Sequence, residues 1–292
     1  MAITLESVQR LTALKNKIDG VTNIASGTLA EAIDNTLAGY GQGGGDTTNE
    51  DALVTGTLTN YKNDRVTSIR SYGFYNNTSI TSVVFSKTTN IGSNTFMGCK
   101  KLTSVDFPSV KNIGTYAFQN CTALTSVNIP LLENMDTYVF QSCSSLKSVG
   151  FPLATHIGNY SFQRCTKLTS VNIPLVTSVA SGLFNNCSAL TSIDLPSVTN
   201  INSTAFSGCS ILASVILRSD TVCQLVYTNA FTNTPIAKGT GHIYVPSILI
   251  DTYKTTGAWS NYADQFRALE DYTVDGTTTG ELDESKVNGG TA

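Results

Sequence analysis

Phe96-Met-Gly-Cys99-Lys-Lys-Leu102-Thr-Ser-Val105-Asp-Phe107-Pro108 is followed 22 residues later by Phe118-Gln-Asn-Cys121-Thr-Ala-Leu124-Thr-Ser-Val127-Asn-Ile129-Pro130. The frame recurs along the chain. Phe74, Phe96, Phe118, Phe140, Phe162, Phe184 and Phe206 form one column, and Ile80, Leu102, Leu124, Leu146, Leu168, Leu190 and Leu212 another. Cys99, Cys121, Cys143, Cys165, Cys187 and Cys209 keep step, as do Pro108, Pro130, Pro152, Pro174 and Pro196. A fixed period of this length marks a solenoid: one repeat cannot bury its apolar face alone, and stacking supplies a continuous core. Each repeat is one coil.

Within a coil, Leu102 to Pro108 predicts a short strand, with Val105 and Phe107 pointing inward around an outward Asp106 and Pro108 ending the ladder. A second apolar stretch, Val110, Ile113, Ala117 and Phe118, also faces the interior. The fold class expected is a leucine-rich repeat solenoid: short parallel strands, one per coil, plus irregular or short helical segments, preceded by a small helical N-terminal segment. Ser82, Ser104, Ser126, Ser148, Ser170, Ser192 and Ser214 are expected to repeat one hydroxyl-to-backbone hydrogen bond at a bend.

The cysteine column admits three readings. Stacked residues lie about 4.8 Å apart, so adjacent thiols are near enough to consider disulfides. Buried free cysteine, acting as a small hydrophobe with a weak donor, is the leading reading. Metal binding or catalysis comes last, since no Cys-x-x-Cys or neighbouring histidine cluster accompanies the column. In the first coil the matching position is Asn77, and Cys223 stands outside the column.

These columns resemble the BspA-like leucine-rich repeat family, whose units read Phe-x-x-Cys-x-x-Leu-x-x-Val-x-Ile-Pro followed by an Ile-Gly turn, over roughly Leu53 to Glu270. His242-Ile-Tyr-Val-Pro-Ser, Tyr253-Lys and Trp259-Ser-Asn-Tyr262 look like the segment that closes such arrays. The family implies binding proteins, often of bacterial surfaces or adhesion, with no catalytic set to carry over. The domain organisation expected is a helical attachment or oligomerisation segment at 1–38, a Gly-rich linker at 39–50, the solenoid at 51–241, a C-terminal cap at 242–271 and a polar tail at 272–292.

Of the 292 residues, 13% are charged, with a formal net charge of -3 and a pI near 5.4. No basic patch points to nucleic acid. Thr, Ser and Asn take the surface places usually held by Lys and Glu, which suits neutral partners such as glycans or proteins.

At the N-terminus, Leu11, Leu14, Ile18 and Val21 have amphipathic helical spacing, and Leu29, Ile33 and Leu37 continue in steps of four. Asp19-Gly20 is a stop for the first segment, and Ser26 or Thr28 a cap for the second. These seven apolar residues are the candidate attachment stripe, to other virion proteins or to copies of the same chain. Gly39, Gly41 and Gly44 match Gly-x-Gly-x-x-Gly, but the pattern follows a helix instead of a strand, so it is expected to be linker.

Met1-Ala-Ile-Thr-Leu-Glu lacks a basic start and an apolar core, and no run suffices for a membrane helix. Neither export by signal peptide nor membrane insertion is therefore expected, and a sequon such as Asn202-Ser-Thr204 carries no weight. Leu29-Ala-Glu-Ala-Ile33 leading into Ala38-Gly-Tyr-Gly-Gln-Gly-Gly resembles the starts of minor structural proteins of tailed bacteriophages that infect Gram-positive bacteria. That resemblance, over about 45 residues, implies a virion protein assembled in the host cytoplasm, with reduced thiols.

No cofactor or metal is expected, and no enzyme: His156 and His242, the two histidines, are far apart and sit in repeat or cap positions. Two ligand surfaces are candidates. The outward strand edge carries Thr103, Asp106, Thr125, Asn128, Lys147, Thr169, Asn172, Thr191 and Asp194; the tyrosine row comprises Tyr116, Tyr138 and Tyr160, with Tyr72 one coil removed. The functional expectation is a non-enzymatic phage virion protein that displays the solenoid for adhesion to a host-surface glycan or protein. Alternatives are a purely structural head, neck or tail protein without host contact, and a BspA-like adhesin on a bacterial cell surface.

Overall fold

A computed structural model of the protein describes residues 59–274 together with 277 and 278. The helical segment, its stripe from Leu11 to Leu37, and the Gly-rich linker lie outside the described residues. What is described is a solenoid whose coils each have three walls.

The first wall is the expected strand: Ser82–Phe85, Ser104–Asp106 and Ser126–Asn128 pair in parallel with residues 22 apart in register. The second wall is also a strand, two residues long in each coil, as in Asn90–Ile91, Asn112–Ile113 and Asn134–Met135. Each coil therefore has two strands instead of the one expected. The pair Asn112-Ile113 is too short for a period-2 pattern to show, yet it places Asn outward and Ile inward as a strand requires.

The third wall is a turn with two left-handed residues per coil. Tyr72, Asn94, Tyr116, Tyr138, Tyr160, Gly182 and Thr204 have φ between 54 and 63°; four residues on, Asn76, Gly98, Asn120, Ser142, Arg164, Asn186 and Gly208 are again positive. Between the two sits the inward phenylalanine. This alternation lets three backbone amides face the next coil: the N–H groups of Tyr72, Phe74 and Asn76 donate to the carbonyls of Ser93, Thr95 and Met97 at 3.0, 2.8 and 2.8 Å.

Inside, the phenylalanine column is one continuous stack. Centroid separations run from 4.9 Å for Phe74 and Phe96 to 5.7 Å for Phe140 and Phe162, with planes within 11° of parallel from Phe74 to Phe231. Burying each such ring stabilises the fold by about 1.5–3 kcal/mol. All seven cysteines are free and buried. Each thiol of the column donates to the carbonyl of the phenylalanine one coil earlier, as Cys121 Sγ does to Phe96 O at 3.1 Å, so cysteine fills apolar space and satisfies a backbone acceptor at once. In the first coil Asn77 Oδ1 instead accepts from the Ser79 and Ile80 amides, both at 2.9 Å.

The serine column does not make the repeated bend contact expected of it. The serines open the first strand on its outer side, where Ser82 Oγ bonds Asn60 Oδ1 at 2.6 Å. The hydroxyl-to-backbone ladder belongs to the preceding column: Thr81 to Thr59, Thr103 to Thr81, Thr125 to Thr103 and Thr169 to Lys147, at 2.8–3.1 Å. Threonine precedes the strand, where its hydroxyl reaches the carbonyl one coil back.

At the far end His242–Val245 pairs in parallel with Ser214–Leu217, and Phe266–Ala268 pairs with His242–Val245. Between them, the helix Ile250–Thr255 and the segment Gly257–Gln265 bring Tyr253, Trp259 and Tyr262 over the last coil. Trp259 packs 6.0 Å from Phe231 and donates its indole N–H to Cys223 O at 2.6 Å, while the Cys223 N–H donates to the Tyr253 hydroxyl at 2.8 Å. Buried polar groups of the final coil are thereby paired, and the phenylalanine stack ends under a tryptophan. In the tail, Thr273–Val274 and Thr277–Thr278 form an antiparallel pair.

Candidate ligand-binding surface

The strand-edge candidates do lie together on the outer side of the first wall, and much of their bonding capacity is already used. Thr103, Thr125 and Thr169 give their hydroxyl protons to backbone carbonyls. Asp106 Oδ1 accepts from Asn128 Nδ2 at 2.7 Å. Asp194 is engaged twice by Arg218, with Nε at 2.9 Å and Nη2 at 2.8 Å from Oδ2, a partner on the next coil. Lys147, Asn172 and Thr191 are exposed. Gly150 occupies the slot between Asn128 and Asn172, and nothing lies within 4 Å of where its Cβ would be, so this face has a notch at its centre.

The tyrosine row is a true stack. Tyr116 and Tyr138 have centroids 4.9 Å apart at 15°, Tyr138 and Tyr160 5.1 Å apart at 9°. Burial, followed by the flanking phenols of Tyr116 and Tyr160, pushes the Tyr138 hydroxyl above its ordinary value. Stacking changes what the row offers: inner faces cover one another, and ring edges and hydroxyls are presented instead. The far face of Tyr160 lies on Gly182, whose Cβ, if present, would be 2.2 Å from that ring. Every tyrosine here sits in a left-handed backbone conformation that side chains other than Gly and Asn rarely adopt.

His156 is an exposed rung of the second wall, in the row of Asn112, Asn134 and Asn200. His242 begins a strand of the first wall at the capped end. The structure does not bring the two histidines together. Burial pushes the thiols of Cys99, Cys165, Cys209 and Cys223 to about 12, which makes them poor nucleophiles.

One exposed feature escaped the sequence reading. Leu131, Leu153 and Leu175, each directly after a proline, are 41–45% exposed at successive coil corners. A signal was present: Leu132, Ala154 and Val176 already fill the inward place in the frame, so the leucine before each had nowhere to go but out.

Stacked parallel strands and left-handed turns around a phenylalanine and leucine core define a leucine-rich repeat solenoid. The model of the BspA type Leucine rich repeat region matches residues 67–174 and 133–254, together more than half of the chain, and the protein belongs to this family. Among solved structures, the chain is similar to the T. pallidum Leucine Rich Repeat protein, with 32% identity over 49% of this chain and 70% of that one and a TM-score of 0.46. A leucine-rich repeat protein from Eubacterium ventriosum is 29% identical over 52% of this chain and 43% of its own, with a TM-score of 0.47. A leucine rich cell surface protein from Faecalibacterium prausnitzii is 24% identical over 65% and 70%, with a TM-score of 0.45. No curated protein matches the sequence. Among the described residues, no helix is long and apolar enough to cross a membrane.

Proposed function

We propose that this protein is a non-enzymatic recognition protein whose solenoid displays a stiff, weakly charged surface for adhesion to a glycan or protein outside the cell that makes it. Family membership supports this, and so does the surface itself. The observation that carries it is the spacing of outward side chains by the backbone: aromatic, amide and hydroxyl rows repeat coil after coil with their rungs bonded to one another. A lattice of this kind suits an extended or repetitive ligand, and weak contacts per copy become strong when many copies are displayed.

The leading location is a bacterial cell surface. A second reading, a tailed-bacteriophage virion protein attached through residues 1–38 to other virion proteins or to itself, draws on the N-terminal resemblance. One experiment covers both. Immunogold labelling of a culture that makes the protein is expected to decorate cell envelopes, and purified chain immobilised on beads is expected to retain target cells. Gold confined to phage particles would replace the cell-surface reading by the virion one. Absence of cell retention in either setting would remove adhesion and leave a structural role.

A further inference from the structure

The tyrosine column has a missing rung. Tyr72, Asn94 and Tyr116 occupy equivalent positions in three consecutive coils, with φ of 63, 59 and 61°. Their N–H groups donate to Ser93 O, Thr115 O and Thr137 O at 3.0, 2.9 and 3.1 Å. Equal backbone geometry sends their Cα–Cβ bonds out of the turn wall in parallel. Where tyrosine fills adjacent rungs the rings stand 4.9 or 5.1 Å apart. Tyr72 and Tyr116 are two rungs apart, about 10 Å by strand spacing, and the shorter Asn94 lies between them.

The gap is open and polar at its base. Tyr72 is 59% exposed and is held edge-on by Tyr75, with centroids 5.5 Å apart at 62°. Of the column's terminal ring faces, that of Tyr160 is closed by the Gly182 backbone, while that of Tyr116 looks toward Asn94. The Asn94 side-chain amide has no hydrogen-bond partner among the described residues. Neighbouring amides behave otherwise: Asn112 donates to Asn90 at 2.8 Å and Asn134 to Asn112 at 3.1 Å. Ser71 and Ser93 flank the rungs with uncharged hydroxyls, joined by the Ser93 N–H to Ser71 Oγ bond at 3.1 Å.

We propose that Tyr72, Asn94 and Tyr116 form a slot for one pyranose ring of a neutral glycan. A pyranose carries apolar C–H groups on its faces and hydroxyls at its edge. Its faces would lie against the two phenol rings, and a hydroxyl would both accept from and donate to the Asn94 amide, completing the stack with a sugar where tyrosine is absent. An aromatic peptide side chain fits the faces but leaves the Asn94 N–H groups unpaired, which costs binding energy. The proposal rests on the glycan form of the recognition reading.

The test uses the full chain with neutral trisaccharides of glucose, galactose, mannose and N-acetylglucosamine, and N-acetyl-phenylalanine amide as the aromatic probe, read by saturation-transfer NMR and calorimetry. At least one trisaccharide is expected to bind. Asn94→Tyr should weaken it about tenfold or more by filling the slot, and this variant should fold, because tyrosine already holds that place in four other coils. Tyr116→Ala should lose binding and Tyr160→Ala keep it.

Binding unchanged in Asn94→Tyr, no trisaccharide bound by the wild-type chain, or displacement of sugar by the phenylalanine probe would each overturn the slot. Cell retention that persists in Asn94→Tyr without sugar binding sinks the slot and spares the recognition reading. Asn94-dependent sugar binding without cell retention does the reverse.

Discussion

The turn wall and the strand walls of the same coils are built to different tolerances. On the turn wall every described coil from Tyr72 to Gly208 donates backbone amides to the next: Phe118 to Val139 O, Phe140 to Ser161 O, Phe162 to Leu183 O and Phe184 to Ala205 O, at 2.8–3.0 Å. The first strand wall is interrupted. Thr125 donates to Thr103 O at 2.8 Å and Thr169 to Lys147 O at 2.9 Å, but among the described residues no such bond leaves Lys147 or Thr191. Accordingly Ser126–Asn128 does not pair with Ser148–Gly150, nor Ser170–Asn172 with Ser192–Leu195. The second wall breaks one coil out of step, between His156–Ile157 and Ser178–Val179.

Ring spacing does not set these breaks: the Phe118 and Phe140 rings beside the first seam are 5.1 Å apart, while rings 5.7 and 5.6 Å apart, Phe140 with Phe162 and Phe184 with Phe206, stand beside strands that do pair. The turn wall holds because it lies directly over the rings and its left-handed residues aim the amides along the axis. Rigidity therefore resides where the tyrosine column and its vacant rung are, and a site on that wall is preorganised.

The largest effect that sharpens this contrast is expected at high pH. In the unfolded chain the thiols ionise near 9.0, while burial holds Cys99, Cys165, Cys209 and Cys223 at about 12 in the fold. Groups whose folded value is raised contribute stability that is fully present below pH 9 and lost as pH rises toward 12. Circular-dichroism melts should be level to about pH 8.5 and then fall steeply, with a thiol reagent reacting only as the chain unfolds. Thiols that label rapidly at pH 7 in the folded protein would contradict the buried column.

A smaller effect is expected from Gly182→Ala. At φ 60° a Cβ is strained, by about 1–2 kcal/mol, and it would meet the Tyr160 ring at 2.2 Å. The urea midpoint should drop accordingly, with Leu153→Ala at an exposed corner within about 0.5 kcal/mol of wild type. Equal midpoints for the two variants would show that the turn wall is as forgiving as the corners.

The subtlest difference should appear in amide exchange. Lys147 and Thr191 are expected to exchange at least about tenfold faster than Thr125 and Thr169, which occupy the same place in bonded coils, while the Phe140 and Phe162 amides remain protected. Uniform rates across the four would mean the seams close in solution.

Much of this was legible because a repeat is its own alignment. Val105, Phe107, Val110, Ile113, Ala117 and Phe118 were all readable as inward from their columns, and all are buried. The second strand was not, since two residues give no pattern to read. The serine column misled because invariance says only that a position is constrained, not which neighbour constrains it; the hydroxyl ladder lay one residue earlier. Tyr116, Tyr138 and Tyr160 were visible as a row, but their mutual stacking, which hides the inner faces and leaves the end beside Asn94 open, depends on ring orientation.

Period, core and cap are local consequences of composition: phenylalanine, leucine and cysteine at a step of 22 can be buried together only by stacking coils. Which bonds survive that stacking was settled in three dimensions. The bonds between coils join residues 22 or more apart, so no single repeat contains them; only neighbouring coils, packed against each other, decide which wall stays whole.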